Sequence, residues 1–292
     1  MVRGWRLIIP AAACVLALGT GASAATGGHA PAATGSHAPA LPSLKGTNLP
    51  ALHIKAPARV NGAGIPIDES SNWSGYVALP KSGGSPTFNY VYAQYTVPSV
   101  NCSKTGSSDA FAYHWIGLDG WTDSTVEQDG IADFCVGGTP EYNAWYEMYP
   151  APFSTNFAVN PGDAIYSSVT YAPATEVYTL KVIDQTTGKG LTVSEKCGTP
   201  GTCDNSSAEV ITEGYTSSPW IGTADFDEEF YTNADATDAA GVTGSLTDSA
   251  WTTIESEAYG STSDDPTTEP SQIYQGQSFS RSAFAVSWER VN

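Results

Sequence analysis

The sequence predicts an all-β protein, a two-sheet antiparallel β-sandwich, from three observations. Short segments rich in Tyr, Val and Thr alternate apolar and polar residues. Clusters of Gly, Pro, Asn and Asp separate them. Helical periodicity is hard to find. Many strands without helices between them pack as sheets face to face or close into a barrel, and of the two the sandwich is the reading taken here.

The first 24 of the 292 residues stand apart from that pattern. Arg3 and Arg6 precede the apolar run "LIIPAAACVLAL" (7–18), and Ala22-Ser23-Ala24 supplies a small-residue cleavage site. This predicts a secretory signal peptide and an extracellular protein. The run is too short for a permanent membrane span, so no membrane association is expected. Residues 25–66 are rich in Ala, Gly, Pro and Thr and repeat "HAPA" at 29–32 and 37–40. Such a stretch buries no core and predicts a disordered segment. It carries Lys45, Lys55 and Arg59 and no acid. Residues 67–292 hold all 30 Asp and Glu against 7 Lys and Arg, a net charge of −23. A cationic leader before an acidic body reads either as a flexible linker or, more sharply, as a pro-segment that binds an anionic groove near neutral pH and lets go as carboxylates protonate. The body's charge excludes nucleic acid as a partner and suits work in acid.

Within 67–292, one domain, the strands follow in order. They are expected at "NWSGYVAL" (72–79), "FNYVYAQYTVP" (88–98), "FAYHWIGL" (111–118), "STVEQDGIADFCV" (124–136) and "YNAWYEMYP" (142–150). Others are expected at 164–172, 176–184, 207–214, 227–237 and 284–291, with a hairpin over 182–194 turning at a Gly-containing loop. With Cys14 lost in the signal, four cysteines remain, an even number that implies disulfides in a secreted chain. Three pairings are possible. Cys197 and Cys203 bracket the turn "CGTPGTC" and are paired here, which leaves Cys102 with Cys135 on proximity. No spacing suggests zinc, and neither cofactor nor oligomer is signalled; a monomer is expected. Asn72, Asn101 and Asn205 stand in glycosylation sequons.

The chemistry narrows by elimination. The body has a single histidine, His114, flanked by Tyr113 and Trp115 in an apolar strand, where a packing role outweighs a catalytic one. There is no GxSxG, and bridged cysteines offer no thiol. Carboxylates, amides and aromatics remain. Strand alternation puts Trp115, Gly117 and Asp119 on one face, as it does Asn143, Trp145 and Glu147, Val126 and Gln128, and Glu209, Ile211 and Glu213. Each segment sets a polar group beside large side chains. The 15 Tyr and 8 Trp exceed what a core needs and suit a groove for an extended polymer.

"SNWSGYV" (71–77), "WIGLDG" (115–120), "VEQDG" (126–130), "NAWYEMYP" (143–150) and "AEVITEG" (208–214) follow the order and spacing of the glutamic peptidases, or eqolisins. The chain resembles that family over residues 71 to about 235. The resemblance implies a concanavalin-like jelly roll of two bent sheets with a concave substrate groove. It also implies an acid endopeptidase, insensitive to pepstatin, acting on unfolded or extended polypeptides. Its dyad would be Gln128 and Glu213. Trp115, Asp119 and Glu147 match positions around the dyad, with Trp73, Trp145 and Asn143 in the groove. Asp119 reads equally as a turn residue in "LDG". The chain departs from the family at Glu127 and Asp129, where Leu and Thr are usual, and at Asn143 and Gly214, where Asp is usual. Two other classes fit less of the sequence. A glycoside hydrolase would use Glu147 and Glu213 as a carboxylate pair, and a lectin-like binder would use the aromatics alone. Neither needs Gln128.

Overall fold

A computed structural model describes residues 53–81, 87–105, 109–198, 203–214, 222–259, 268–270 and 282–289, with 54–57 and 268–270 as backbone only. The signal peptide and most of the leader lie outside the described residues. In chain order the strands are β1 (His53–Val60), β2 (Pro66–Ser70), β3 (Trp73–Leu79), β4 (Phe88–Thr96), β5 (Ala110–Leu118) and β6 (Val126–Val136). Then come β7 (Thr139–Tyr149), β8 (Ser154–Ala158), β9 (Ala164–Ala172), β10 (Val177–Asp184), β11 (Gly190–Lys196) and β12 (Ala208–Gly214). Last are β13 (Gly222–Thr223), β14 (Glu228–Asp238), β15 (Thr243–Ser245), β16 (Thr252–Ala258), β17 (Thr268–Pro270) and β18 (Phe284–Trp288).

Pairing sorts these strands into two sheets. The first runs β8-β7-β6-β5-β12-β3-β16-β2-β1. The second runs β11-β10-β9-β4-β14-β15. Ladders are antiparallel except β2 with β16 and β13 with β5. Strand β14 belongs to both sheets. Glu228–Tyr231 pair with β18 on the first sheet, and Thr232–Asp238 pair with β4 in the second.

The alternation read from the sequence decides which side chains enter the core. Tyr76 and Ala78, Ile116 and Leu118, Ile131 and Cys135, and Ala208 and Val210 meet Val91, Ala93, Val169, Leu180 and Val182 from the second sheet. The residues between them, Trp73, Trp115, Gln128, Trp145, Glu147 and Glu213, are also buried, yet stand outside that core on the opposite face. Both disulfides form as expected, Cys102 with Cys135 and Cys197 with Cys203.

One expectation is corrected. The leader was expected to be without structure up to residue 66, but β1 pairs antiparallel with β2. Polar contacts supply what a core does not. Arg59 pairs with Glu257 and, at 3.1 Å, with Glu69, and it donates to Tyr259 Oη at 2.7 Å. Asn61 Nδ2 donates to Glu255 at 2.5 Å. His53 Nε2 lies 2.8 Å from the Trp121 carbonyl oxygen and its Nδ1 lies 3.2 Å from Asp68. Strand β16 was also missed. Its "TTIESEA" has almost no apolar signal, although it lies between β3 and β2.

Candidate active site

Gln128 comes from β6 and Glu213 from β12, the two neighbours of β5. Gln128 stands opposite Gly117 and Glu213 opposite Tyr113, so β5 separates them by four positions as well as by its width. Trp115 occupies the ground between. Its Nε1 donates to Glu213 Oε2 at 3.1 Å. The other end of its ring covers Gly117: a Cβ on Gly117 would lie 2.8 Å from Trp115 Cζ3 and 3.3 Å from Gln128 Cβ. Glycine at 117 is what lets the indole lie down over the position opposite Gln128.

Each member of the pair has its own holder. Gln128 Nε2 donates to Glu147 Oε2 at 2.9 Å, across the β6–β7 rung that the two residues share. Gln128 Oε1 has no partner among the described residues. Glu213 Oε1 accepts from Asn72 Nδ2 at 3.1 Å. Gln128 and Glu213 are 0% and 2% exposed, a buried, low-dielectric setting in which hydrogen bonds to developing charge count most.

Aromatics surround this arrangement. Trp73, opposite Glu213 in the β3–β12 ladder, meets Trp115 edge-on at 4.7 Å. Trp121 tilts against Trp73 at 6.1 Å. Tyr113 stands edge-on to Trp145 at 5.6 Å, and Phe153 closes the group at 6.1 Å from both rings. Trp145 Nε1 is buried with no partner among the described residues. Asn143 is half-buried on the same face, opposite Ala132.

Asp119 does something else. It ends β5 at a φ of 70°, and its carboxylate accepts the N–H of Asn205 at 2.9 Å and of Ser206 at 2.5 Å. Through these two bonds Asp119 fixes the approach to β12. Burial and the neighbouring Asp123 push its pKa up to about 7. Glu127 and Asp129 alternate with Gln128 and so leave its face of the sheet. Asp129 Oδ2 accepts the Lys181 N–H of the second sheet at 2.6 Å, an inter-sheet tie. Burial, then Asp119, raises the Glu127 pKa well above the carboxylate range.

His114 is the packed residue expected. It is fully buried, with Nε2 3.0 Å from Asp133 and Nδ1 3.0 Å from Thr212 Oγ1. Asn72 was missed. Inside "SNWSGYV" it read as a strand start and a sequon, yet it is fully buried with its amide on Glu213. Trp121, Tyr113 and Phe153 were likewise not singled out.

A model of the peptidase A4 family matches residues 71–274. The chain is 31% identical to aspergillopepsin-2 of Aspergillus niger over 196 residues, 60% of this chain and 67% of that protein. It is 33% identical to scytalidopepsin B of Scytalidium lignicola over 148 residues, 50% of this chain and 52%, about half, of that protein. The crystal structure of scytalido-glutamic peptidase with a transition state analog inhibitor is similar at a TM-score of 0.60 and 25% identity, covering 75% of this chain and 98% of that one. With the family model spanning most of the chain and the fold shared, this protein belongs to the peptidase A4 family, the glutamic peptidases or eqolisins.

Proposed function

We propose that this chain is a secreted acid endopeptidase that cleaves extended polypeptides with Gln128 and Glu213. One observation supports it above the others: a single indole, Trp115, donates its N–H to Glu213 and covers Gly117, the residue opposite Gln128, while each polar group has a separate holder. Glu213 as carboxylate takes a proton from water, whose oxygen attacks the peptide carbonyl carbon. Gln128 keeps one N–H on Glu147 and has a second for the oxyanion that forms. The protonated Glu213 then gives its proton to the leaving nitrogen as the C–N bond breaks, releasing an acid and an amine. An uncharged donor serves at any acid pH, whereas a carboxylate neighbour changes with pH. The leader up to residue 66 is read as a restraint held on the acidic body by charge. The pairs of Arg59 with Glu69 and Glu257, and of His53 with Asp68, support that reading.

The test is cleavage of a denatured protein from about pH 2 to about pH 7 by the processed enzyme, with and without pepstatin. Cleavage confined to acid and indifferent to pepstatin is expected. Gln128→Ala is expected to lose about 10²–10³-fold in kcat, and Glu213→Ala to be inactive. Full activity in either folded variant would overturn the dyad. An inactive but folded parent would turn attention to polysaccharides.

A further inference from the structure

We propose that Asn72 is the positioning residue for Glu213 and that Ser70 sets which way the Asn72 amide faces. This deepens the proposed function and rests on Glu213 being catalytic. A carboxylate that must take a proton from water and return it to a nitrogen has to be held in one rotamer. Both oxygens of Glu213 are engaged, Oε2 by Trp115 Nε1 and Oε1 by Asn72 Nδ2, each at 3.1 Å. The indole can only donate. An asparagine can turn either its NH2 or its oxygen toward Glu213, and the oxygen would repel the carboxylate. Ser70 settles the choice. Its hydroxyl donates to Asn72 Oδ1 at 2.9 Å while accepting the Trp73 N–H at 3.1 Å, so the Asn72 oxygen is occupied and its NH2 faces Glu213. The Asn72 carbonyl accepts the Gly214 N–H at 2.9 Å, which ties the backbone of the holder to the residue after Glu213. Ser70 and Asn72 are fully buried, so water does not compete for these bonds. The same burial removes Asn72 from use as a glycosylation acceptor in the folded chain.

The experiment compares kcat, KM and melting temperature across the acid range for Asn72→Ala, Asn72→Asp and Ser70→Ala in the full-length chain after processing, beside Glu213→Ala. Asn72→Ala is expected to lower kcat about 10–100-fold with KM within about twofold, as a misplaced catalytic group does. Asn72→Asp can donate only when protonated. Its activity relative to the parent is therefore expected to be highest at the lowest pH and to fall about tenfold as pH rises through the carboxylate range. Ser70→Ala, close to isosteric and the variant least prone to misfold, is expected to lose about 3–10-fold without a change in pH shape. Unaltered kcat in Asn72→Ala overturns the proposal, as does an Asn72→Asp loss that is equal at every pH, since a structural role would give that. Full activity of Glu213→Ala would instead defeat the dyad itself.

Discussion

Gly130 has no room for a side chain. A Cβ there would sit 2.0 Å from the His114 carbonyl oxygen and 2.8 Å from Trp115 Cα, because β6 presses against β5 at this rung. Gly130→Ala is therefore expected to force the two strands apart two residues from Gln128, at about 1–3 kcal/mol or more. Thermal melting checks this; a variant with the parent's melting temperature and activity would show that the strands yield freely. At this scale the sequence was readable where chemistry is rare. A glutamine and a glutamate among aromatics, and four cysteines in two pairs, could be picked out. Asn72 could not, because nothing in its neighbours says that its amide meets a residue 141 positions away. Asp119 was readable only as a choice, since an aspartate before glycine serves a turn as well as a site.

At the scale of elements, strands with apolar alternation were legible and the others were not. Every strand named from the sequence forms, with ends shifted by a few residues. β16 was missed because its burial comes from the neighbours β3 and β2 and from bonds such as Tyr76 Oη to Glu255 at 2.6 Å. β1 was missed because it is held by ion pairs. That β14 changes sheets in mid-strand depends on long-range pairing, which no local pattern records. The disulfide between Cys102 and Cys135 closes 33 residues and ties the loop after β4 to β6, the strand of Gln128. By loop entropy its removal costs about 4 kcal/mol, and that of Cys197–Cys203 about 2 kcal/mol. A Cys102→Ala/Cys135→Ala variant is expected to melt roughly 8–16 °C lower, with a smaller drop for the other pair. Equal drops, read by calorimetry, would refute the loop-length account.

At the scale of the whole molecule, buried carboxyls set how stability depends on pH. Glu127, Asp129, Asp133, Glu209 and Glu229 are 0–1% exposed, and burial raises the pKa of each; His114 pulls Asp133 the other way without cancelling it. Asp119 is pushed up to about 7. The sign follows from linkage. A carboxyl whose pKa is raised on folding binds its proton more tightly in the native state, so its contribution is fully present below the unfolded value of about 4 and is lost as pH rises through the folded value. For Asp119 that window runs from about 4 to about 7. The melting temperature is expected to be highest near or below pH 4 and to fall steadily toward neutrality. A melting temperature that rises over that range would contradict the upward shift of these carboxyls. The acidic composition was legible in the sequence; that so many acids are buried was not, because composition counts charges without locating them.

The strand at the end of the leader has a last consequence. Among the described residues β1 forms the outer margin of the first sheet, and a margin exposes backbone groups on which a second chain can pair. Its sequence, HIKAPARV, is poorly suited to accept one. Pro57 has no N–H to offer, and the register breaks between Ile54 and Arg59. Beneath it, β2 keeps β16 on one side and β1 on the other. The segment that looked too simple to fold thus caps the sheet and discourages another molecule from adding to it.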